Sequence, residues 1–207
     1  FENPPYIRPV VSIGELLRPI KNKYIALCVH STCQIKYWNH PNGFVSQGDS
    51  TNWNELSAIL RKRGYTPVTV EKTDFYGVPP FYNGVPSKSN KQIGKSLLDA
   101  VNIINHSEFY IGLSSGMSWV AHALGKKVVM ISNFTEDWNE FDLSLLDYKR
   151  ITNKSVCHGC WNKINVDHTF DKNDWYWCPL HRDTDRQFEC HKSITTNDVM
   201  DKIKHWI

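Results

Sequence analysis

Residues 109–132 read FYIGLSSGMSWVAHALGKKVVMIS, and this stretch decides the fold. An apolar run ends in Leu113, a Ser114-Ser115-Gly116 turn follows, Met117 to Leu124 carries a helical pattern, and Val128 to Ile131 is a second apolar run. The order is strand, tight turn, helix, strand, a small βαβ unit. Where the first strand gives way to the helix, N–H groups without intrahelical partners and the positive end of the helix dipole converge, so the turn is a ready anion site. Gly112 and Gly116 let the backbone bend and approach a ligand, and the serines add hydroxyl donors. Capping alone would also explain Ser and Gly at such a turn.

Outward from this unit the same alternation recurs. Tyr24 to His30 is a buried-type strand, and Ser31 to Ser50 a long polar loop. Trp53 to Arg63 reads as a helix with Asn52 and Glu55 in capping-box positions and Gly64 at its C-terminal cap. Tyr65 to Val70 is the next strand, and Glu71 to about Asn90, rich in Pro, Gly and Tyr, reads as an irregular excursion. Ile93, Leu97, Leu98, Val101 and Ile104 form a core-facing helical stripe, and Thr195 with Asp198 starts a closing helix that ends near Trp206. This order predicts an α/β fold, a Rossmann-like parallel sheet with helices on both faces. Residues 1–22 read as a linker or entry segment and 23–207 as one domain.

Composition excludes several classes. With 207 residues, 41% hydrophobic and eight Trp, the chain can bury a sizeable core. The net charge is +3 with Lys and Arg scattered, so the footprint of a nucleic-acid binder is missing, and no run is long enough to span a membrane. No targeting segment is evident, and the reading is cytoplasmic.

In a sheet of this kind ligands sit beyond the carboxyl ends of the strands, where strand order reverses. Two loops fall there: Ser31 to Asn39 after the first strand, and Ser114 to Gly116. Lys36 is placed to reach the anion site as a point charge, with Ser31 and Thr32 as hydroxyl donors. Glu71, Asp74 and Asp49 are loop carboxylates whose spacing singles none out.

Six cysteines invite a metal. Cys157-His-Gly-Cys160 is a CxxC knuckle, and Cys178 and Cys190 would complete a tetrahedral four-thiolate site for zinc or iron in a finger at about 150–192. Disulfide pairing and uncoordinated thiols are the other readings of that spacing. His158, His181 and His191 are substitute ligands that read as bystanders. A closed site of this type is structural, because no position remains for substrate.

The segments STCQIKYWN (31–39), FYIGLSSGMSWVAHALGKKVVMIS (109–132), CHGCWN (157–162), WYWCP (175–179) and FECHKSIT (188–195) resemble the C-terminal half of bacterial heptosyltransferase-type glycosyltransferases. The autotransporter O-heptosyltransferases, with a four-cysteine iron finger, are the nearest pattern. The resemblance runs from about Tyr24 to the end of the chain. It implies half of a GT-B fold that binds a nucleotide-diphosphate sugar, ADP-heptose-like, for transfer to a hydroxyl of a protein or glycan acceptor. Carried over, Lys36 would contact the diphosphate, and Ser114, Ser115, Gly116, Met117 and Ser118 would line its cradle. Ser132, Asn133, Phe134, Glu140 and Phe141 would surround base and ribose, with Trp119 and Trp138 as packing or stacking residues. The four cysteines would hold iron, with zinc beside it as the other thiolate metal. The acceptor domain that carries the general base is not within this sequence, so a separate or missing N-terminal domain is expected as a partner. Two other function classes fit the same residues: a nucleotide-sugar-binding module without transfer, and a metal-stabilised interaction domain.

Overall fold

The computed structural model describes residues 7–38, 51–78, 81–141, 144–145, 147–163, 170–171 and 173–207. Six strands form one parallel sheet in the order β5-β2-β1-β6-β7-β8. They are β1 (Tyr24–Cys28), β2 (Thr66–Glu71), β5 (Asn90–Ile93), β6 (Tyr110–Leu113), β7 (Val128–Ile131) and β8 (Tyr148–Ile151). Between β2 and β5 the chain makes an antiparallel hairpin, β3 (Phe75–Val78) and β4 (Phe81–Gly84). The excursion expected over 71–90 is therefore ordered as hairpin plus edge strand. Neither carries a run of buried apolar residues, which is why periodicity missed them.

The helices are α1 (Thr51–Lys62), α2 (Leu97–Asn105), α3 (Gly116–Ala123), the single turn α4 (Glu189–Lys192) and α5 (Thr196–Ile203). Alternate residues of each central strand face opposite sides, so the sheet feeds two cores. Ile25, Leu27, Ile111, Leu113, Val129 and Ile131 pack under α1 and α5 through Trp53, Leu56, Leu60, Val199 and Ile203. Tyr24, Ala26, Cys28, Tyr110, Val128 and Met130 pack under α2 and α3 through Ile103, Ile104 and Ala121. That is a parallel sheet flanked by helices on both faces, as the alternation of the sequence predicts.

Helix ends follow local chemistry. Thr195 and Asp198 close a reciprocal capping box on α5. Ile93 belongs to β5 rather than to α2, because Gly94 turns the chain at φ +67° and the Ser96 hydroxyl accepts from the Asp99 N–H to start the helix. Gly112 serves packing: it lies within β6, where a Cβ would collide with the Tyr110 phenol. No helix among the described residues is long and apolar enough to cross a membrane.

Strand order reverses between β1 and β6, and the loops that follow these two strands open beside each other at the carboxyl edge.

Candidate functional site

Beyond β1, the chain turns through Ser31, whose N–H donates to the Tyr37 hydroxyl at 2.9 Å and whose carbonyl accepts from it at 2.8 Å. One 3-10 turn (Gln34–Lys36) follows, with Gln34 and Ile35 buried and Lys36 half-exposed at its end. Its Nζ lies 5.2 Å from the centroid of the Phe134 ring, a cation–π contact that aims the ammonium across the mouth of the sheet.

Opposite, Ser115 is the N-cap of α3 in extended conformation and spends no side-chain hydrogen bond on the cap, and Gly116 opens the helix with no atom within 4 Å of where a Cβ would stand. The first turn of α3 thus presents backbone N–H groups and the positive end of its dipole to open space. Two adjoining cavities, of about 400 Å³ and about 480 Å³, share Thr32, Lys36, Ser114, Ser115 and Gly116 in their walls. Lysine and helix terminus therefore face each other across one cleft.

The two flanks of this cradle differ in chemistry. On one side stand Trp119, Phe134, Thr135, Asn139, Glu140, Trp161 and Phe170. Glu140 is nearly buried, and its Oε1 accepts from the Ser114 hydroxyl at 2.7 Å and from Thr135 at 2.6 Å. Phe134, Trp161 and Phe170 form an aromatic cluster with centroids 4.8–6.0 Å apart. On the other side the wall is Cys28, His30, Glu71, Met117 and Val120. It continues into an apolar slot of about 390 Å³ lined by Val70, Leu97, Ala100 and Met117, with Lys72 and Lys95 at its edge.

Several residues expected at the site lie behind it. Ser118 is fully buried and donates to the Leu113 carbonyl at 2.6 Å, and Ser132 is buried beside Thr135. Phe141 is core, stacked on His122 and edge-on to Trp119. Trp138 is exposed outside both cavities. Asp74 pairs with Lys91 at 3.0 Å, and Asp49 lies outside the described residues.

Asn133 is a structural hub. Its Nδ2 donates to the carbonyls of Asn153 and Cys190, both at 2.8 Å, its Oδ1 accepts from the Asn153 N–H at 3.0 Å, and its carbonyl accepts from the Gly159 N–H at 2.9 Å. The Asn133 N–H donates to Nε2 of His191 at 3.3 Å. Burial lowers the pKa of His191 to about 3, which keeps the ring neutral and its lone pair available.

Sequence spacing missed Glu71. It ends β2, is largely buried, lines the cleft, and accepts on Oε1 from the N–H groups of Val29 and His30. Burial raises its pKa to about 7, against the lowering pull of those two N–H groups. The signal available in the sequence was positional: a carboxylate closing a buried strand next to the switch point. Trp161 and Phe170 were missed as cleft residues for another reason, since they arrive from the distant finger segment.

The expected four-cysteine site gives way to a mixed one. Among the described residues, the ligand atoms that gather within 4.8 Å of one another belong to Cys157, His181 and Glu189. Cys160, Cys178 and Cys190 are buried in an apolar cluster with Cys33, Ile35, Phe134, Trp177 and Phe188, and Cys157 packs against its edge. Burial favours the neutral thiol there, pushing Cys160 up to about 12 and Cys190 well above its ordinary value. The Cys190 thiol lies 3.4 Å from Nδ1 of His191, and no disulfide joins any of the six cysteines. His181, read from sequence as a bystander, stands 3.7 Å from Glu189, whose Oε1 also accepts from the Cys157 N–H at 3.1 Å. Thiolate, imidazole and carboxylate together suit a borderline transition metal. Arg186 holds the Glu189 carboxylate with two bonds, at 2.9 and 2.6 Å, and keeps its pKa low.

No family model matches the chain. It is 38% identical over 190 residues to the autotransporter heptosyltransferase TibC of Escherichia coli O78:H11, covering 90% of this chain and 43% of TibC. With the autotransporter heptosyltransferase BAHTCr of Citrobacter rodentium it shares 38% over 181 residues, 87% of this chain and 41% of that protein. The crystal structure of dodecameric, iron-containing TibC in complex with ADP-D-β-D-heptose superposes with a TM-score of 0.80 at 36% identity, over 92% of this chain and 46% of that one. The chain thus spans less than half the length of these relatives.

Proposed function

Because this chain is a GT-B-type domain closely related to the bacterial autotransporter heptosyltransferases, we propose that it binds the diphosphate of an ADP-heptose-type sugar nucleotide between Lys36 and the N-terminus of α3. The observation that carries the reading is the shared wall: Lys36, Thr32, Ser115 and Gly116 border both cavities of the cleft. An ammonium on one side and helix N–H groups on the other match a diphosphate in charge and in donors. Ser114 shapes the turn more than it donates, because its hydroxyl is tied to Glu140, whereas Tyr37 bonds the backbone of Ser31 and not its hydroxyl.

The flanks divide the rest of the donor. A flat nucleobase suits the apolar slot at Leu97, Ala100 and Met117, with Glu71 beside it as acceptor for ribose hydroxyls. A polyhydroxy sugar suits the opposite flank. There Thr135, Asn139 and Glu140 offer hydrogen bonds, and Phe134, Trp119 and Trp161 offer aromatic faces for the sugar's C–H groups. Ser118 and Ser132 support the two loops from behind, and Met117 borders the base.

In glycosyl transfer the bond from the anomeric carbon to the diphosphate breaks and the charge develops on the leaving phosphate. Lys36 and the α3 terminus stand where that charge appears, and stabilising it is the part of the reaction this domain would supply. The acceptor, a hydroxyl of a protein or glycan, and its general base would be presented by an acceptor-side domain. Residues 23–207 act as the nucleotide-sugar unit, with 1–22 leading into it, and cytoplasmic placement goes with the unbridged thiols. A metal ion, iron by relation to TibC, would be held by Cys157, His181 and Glu189. Its role is to tie the loop after β8 to α4, with no part in the transfer.

Calorimetric titration with ADP-, GDP- and UDP-sugars tests the reading. ADP-sugars binding at least tenfold more tightly than the others is expected; no binding of any sugar nucleotide would overturn it.

A further inference from the structure

His30 and Glu71 meet at the nucleoside side of the cradle and have no part in the capture of the diphosphate described above. Both are largely buried, and both line the same cavity as Lys36, Ser115 and Gly116. His30 Nε2 lies 3.0 Å from the backbone carbonyl of Asn83, the strand β4 residue that packs over it. A carbonyl only accepts, so Nε2 must carry hydrogen. In the neutral ring Nδ1 is then a bare lone pair, and it faces Glu71 Oε2 at 3.6 Å.

Oε1 of Glu71 is already committed to the N–H groups of Val29 and His30. Oε2 is the oxygen left to face the imidazole. Lone pair against carboxylate is repulsive, and one proton between them removes the conflict.

Resting on the donor-site reading above, we propose that His30 and Glu71 hold one shared proton, and that this proton makes donor binding pH-dependent by cancelling a carboxylate charge beside the diphosphate. His30 is a positioning residue: Asn83 fixes its tautomer, and its bare Nδ1, 3.6 Å from Oε2, favours a proton on Glu71 over a second lone pair facing it. The outward lone pair of Oε2 stays available to a ribose hydroxyl. When the diphosphate arrives, its negative charge makes ionisation of Glu71 less favourable still, so binding takes up a proton wherever Glu71 is ionised in the empty domain.

The surroundings allow this pair to titrate alone near neutrality. Burial, opposed by the Asn83 contact, lowers His30 to about 4 and leaves it neutral, while burial raises Glu71 to about 7. Burial pushes the thiol of Cys28 and the phenols of Tyr37 and Tyr110 up, out of the neutral range. Lys36 and Lys72 from the flanking loops, Lys95 before α2, and Asp74 and Tyr76 from the hairpin complete the charged and titratable neighbours.

ADP-glucose is a suitable probe, because its diphosphate is esterified at both ends and keeps its charge between pH 6 and 8.5. The Kd of the wild-type chain, measured by calorimetry, should be flat below pH 7 and rise above it, reaching at least tenfold by pH 8.5. His30→Gln should move the bend to lower pH by half a unit or more, since the lone pair that favours a proton on Glu71 is lost. Glu71→Gln should remove the bend, whatever it does to affinity at pH 6. A Kd independent of pH, or a bend that survives Glu71→Gln, would overturn the shared proton and leave the donor site standing. Absence of binding at every pH would remove the donor site and this proposal together.

Discussion

Around the mouth of the sheet, the loops after β1 and β6 take their places from parallel strands paired residue by residue, Ala26 with Tyr110 and Cys28 with Gly112. Among its described residues, the segment from Thr152 to Lys192 has no strand and only a 3-10 turn at Cys160–Asn162 and the single turn α4. It is held by side chains: Asn133 ties it at Asn153, Gly159 and Cys190, and Phe134, Trp177 and Phe188 pack its interior. Yet both regions border one cleft, Lys36 and Ser115 from the first, Trp161 and Phe170 from the second. Backbone geometry places the charged part of the site, and tertiary packing places the aromatic part. Substitutions should therefore separate them, the first region answering in affinity and the second in stability.

The largest effect is expected at the hub. Asn133→Ala removes several buried hydrogen bonds at once and should lower unfolding stability by about 3 kcal/mol, read by urea denaturation. A loss below about 1 kcal/mol would mean that the finger is anchored elsewhere.

The titrating pair comes next and concerns the regular side. Glu71 is raised from 4.5 to about 7, so its contribution is present at low pH and is lost between those values. His30 is lowered from 6.5 to about 4, so its contribution is lost as pH falls across that window. Between pH 4.5 and 6.5 the two nearly offset. Glu71→Gln should expose the histidine alone, adding roughly 3 kcal/mol of stability on going from pH 4 to 6.5 relative to wild type. Identical pH–stability curves for the two proteins would contradict this.

Metal removal probes the finger again. Chelation should lower the stability of the metal-loaded chain by roughly 2–3 kcal/mol, the size expected for an ion near a hundred times its Kd. Cys157→Ser should carry less metal by elemental analysis and lose that sensitivity. Full loading of the variant would exclude Cys157 as a ligand.

Gly116→Ala sharpens the contrast at small scale. Outside its own stretch of helix no atom stands within 4 Å of the new methyl, and the helix gains propensity, so stability should rise by up to about 1 kcal/mol. The methyl enters the cradle, so sugar-nucleotide affinity should fall severalfold. A rise in both would show that the diphosphate does not approach this helix turn.

Much of the regular side was legible from periodicity. The apolar runs at Tyr24, Val68, Tyr110 and Val128 and the turn at Ser114 to Gly116 led from alternation to sheet to switch point, and Lys36 followed from its place in the first loop. The edge strands β5 and β8 and the hairpin were not: β5 and the hairpin strand β3 bury little, and in β8 Lys149 and Arg150 interrupt the apolar pattern although the strand is largely buried. The finger illustrates the limit most clearly. A CxxC knuckle reads as half of a four-thiolate site, but which donors converge depends on how the chain returns, and here His181 and Glu189 come to Cys157 while three thiols turn into the apolar interior. Glu71 stood among three loop carboxylates with nothing to single it out, because a carboxylate at a strand end looks like a surface group until the fold buries it.

The central claim is that a diphosphate is held between Lys36 and the first turn of α3, and Lys36→Ala tests it most directly. With ADP-glucose as the titrant, the Kd should rise 10- to 100-fold, the size of about 1.5–3 kcal/mol for a charge-assisted contact, while the thermal midpoint stays within a degree or so. An unchanged Kd in a folded Lys36→Ala protein would contradict the account.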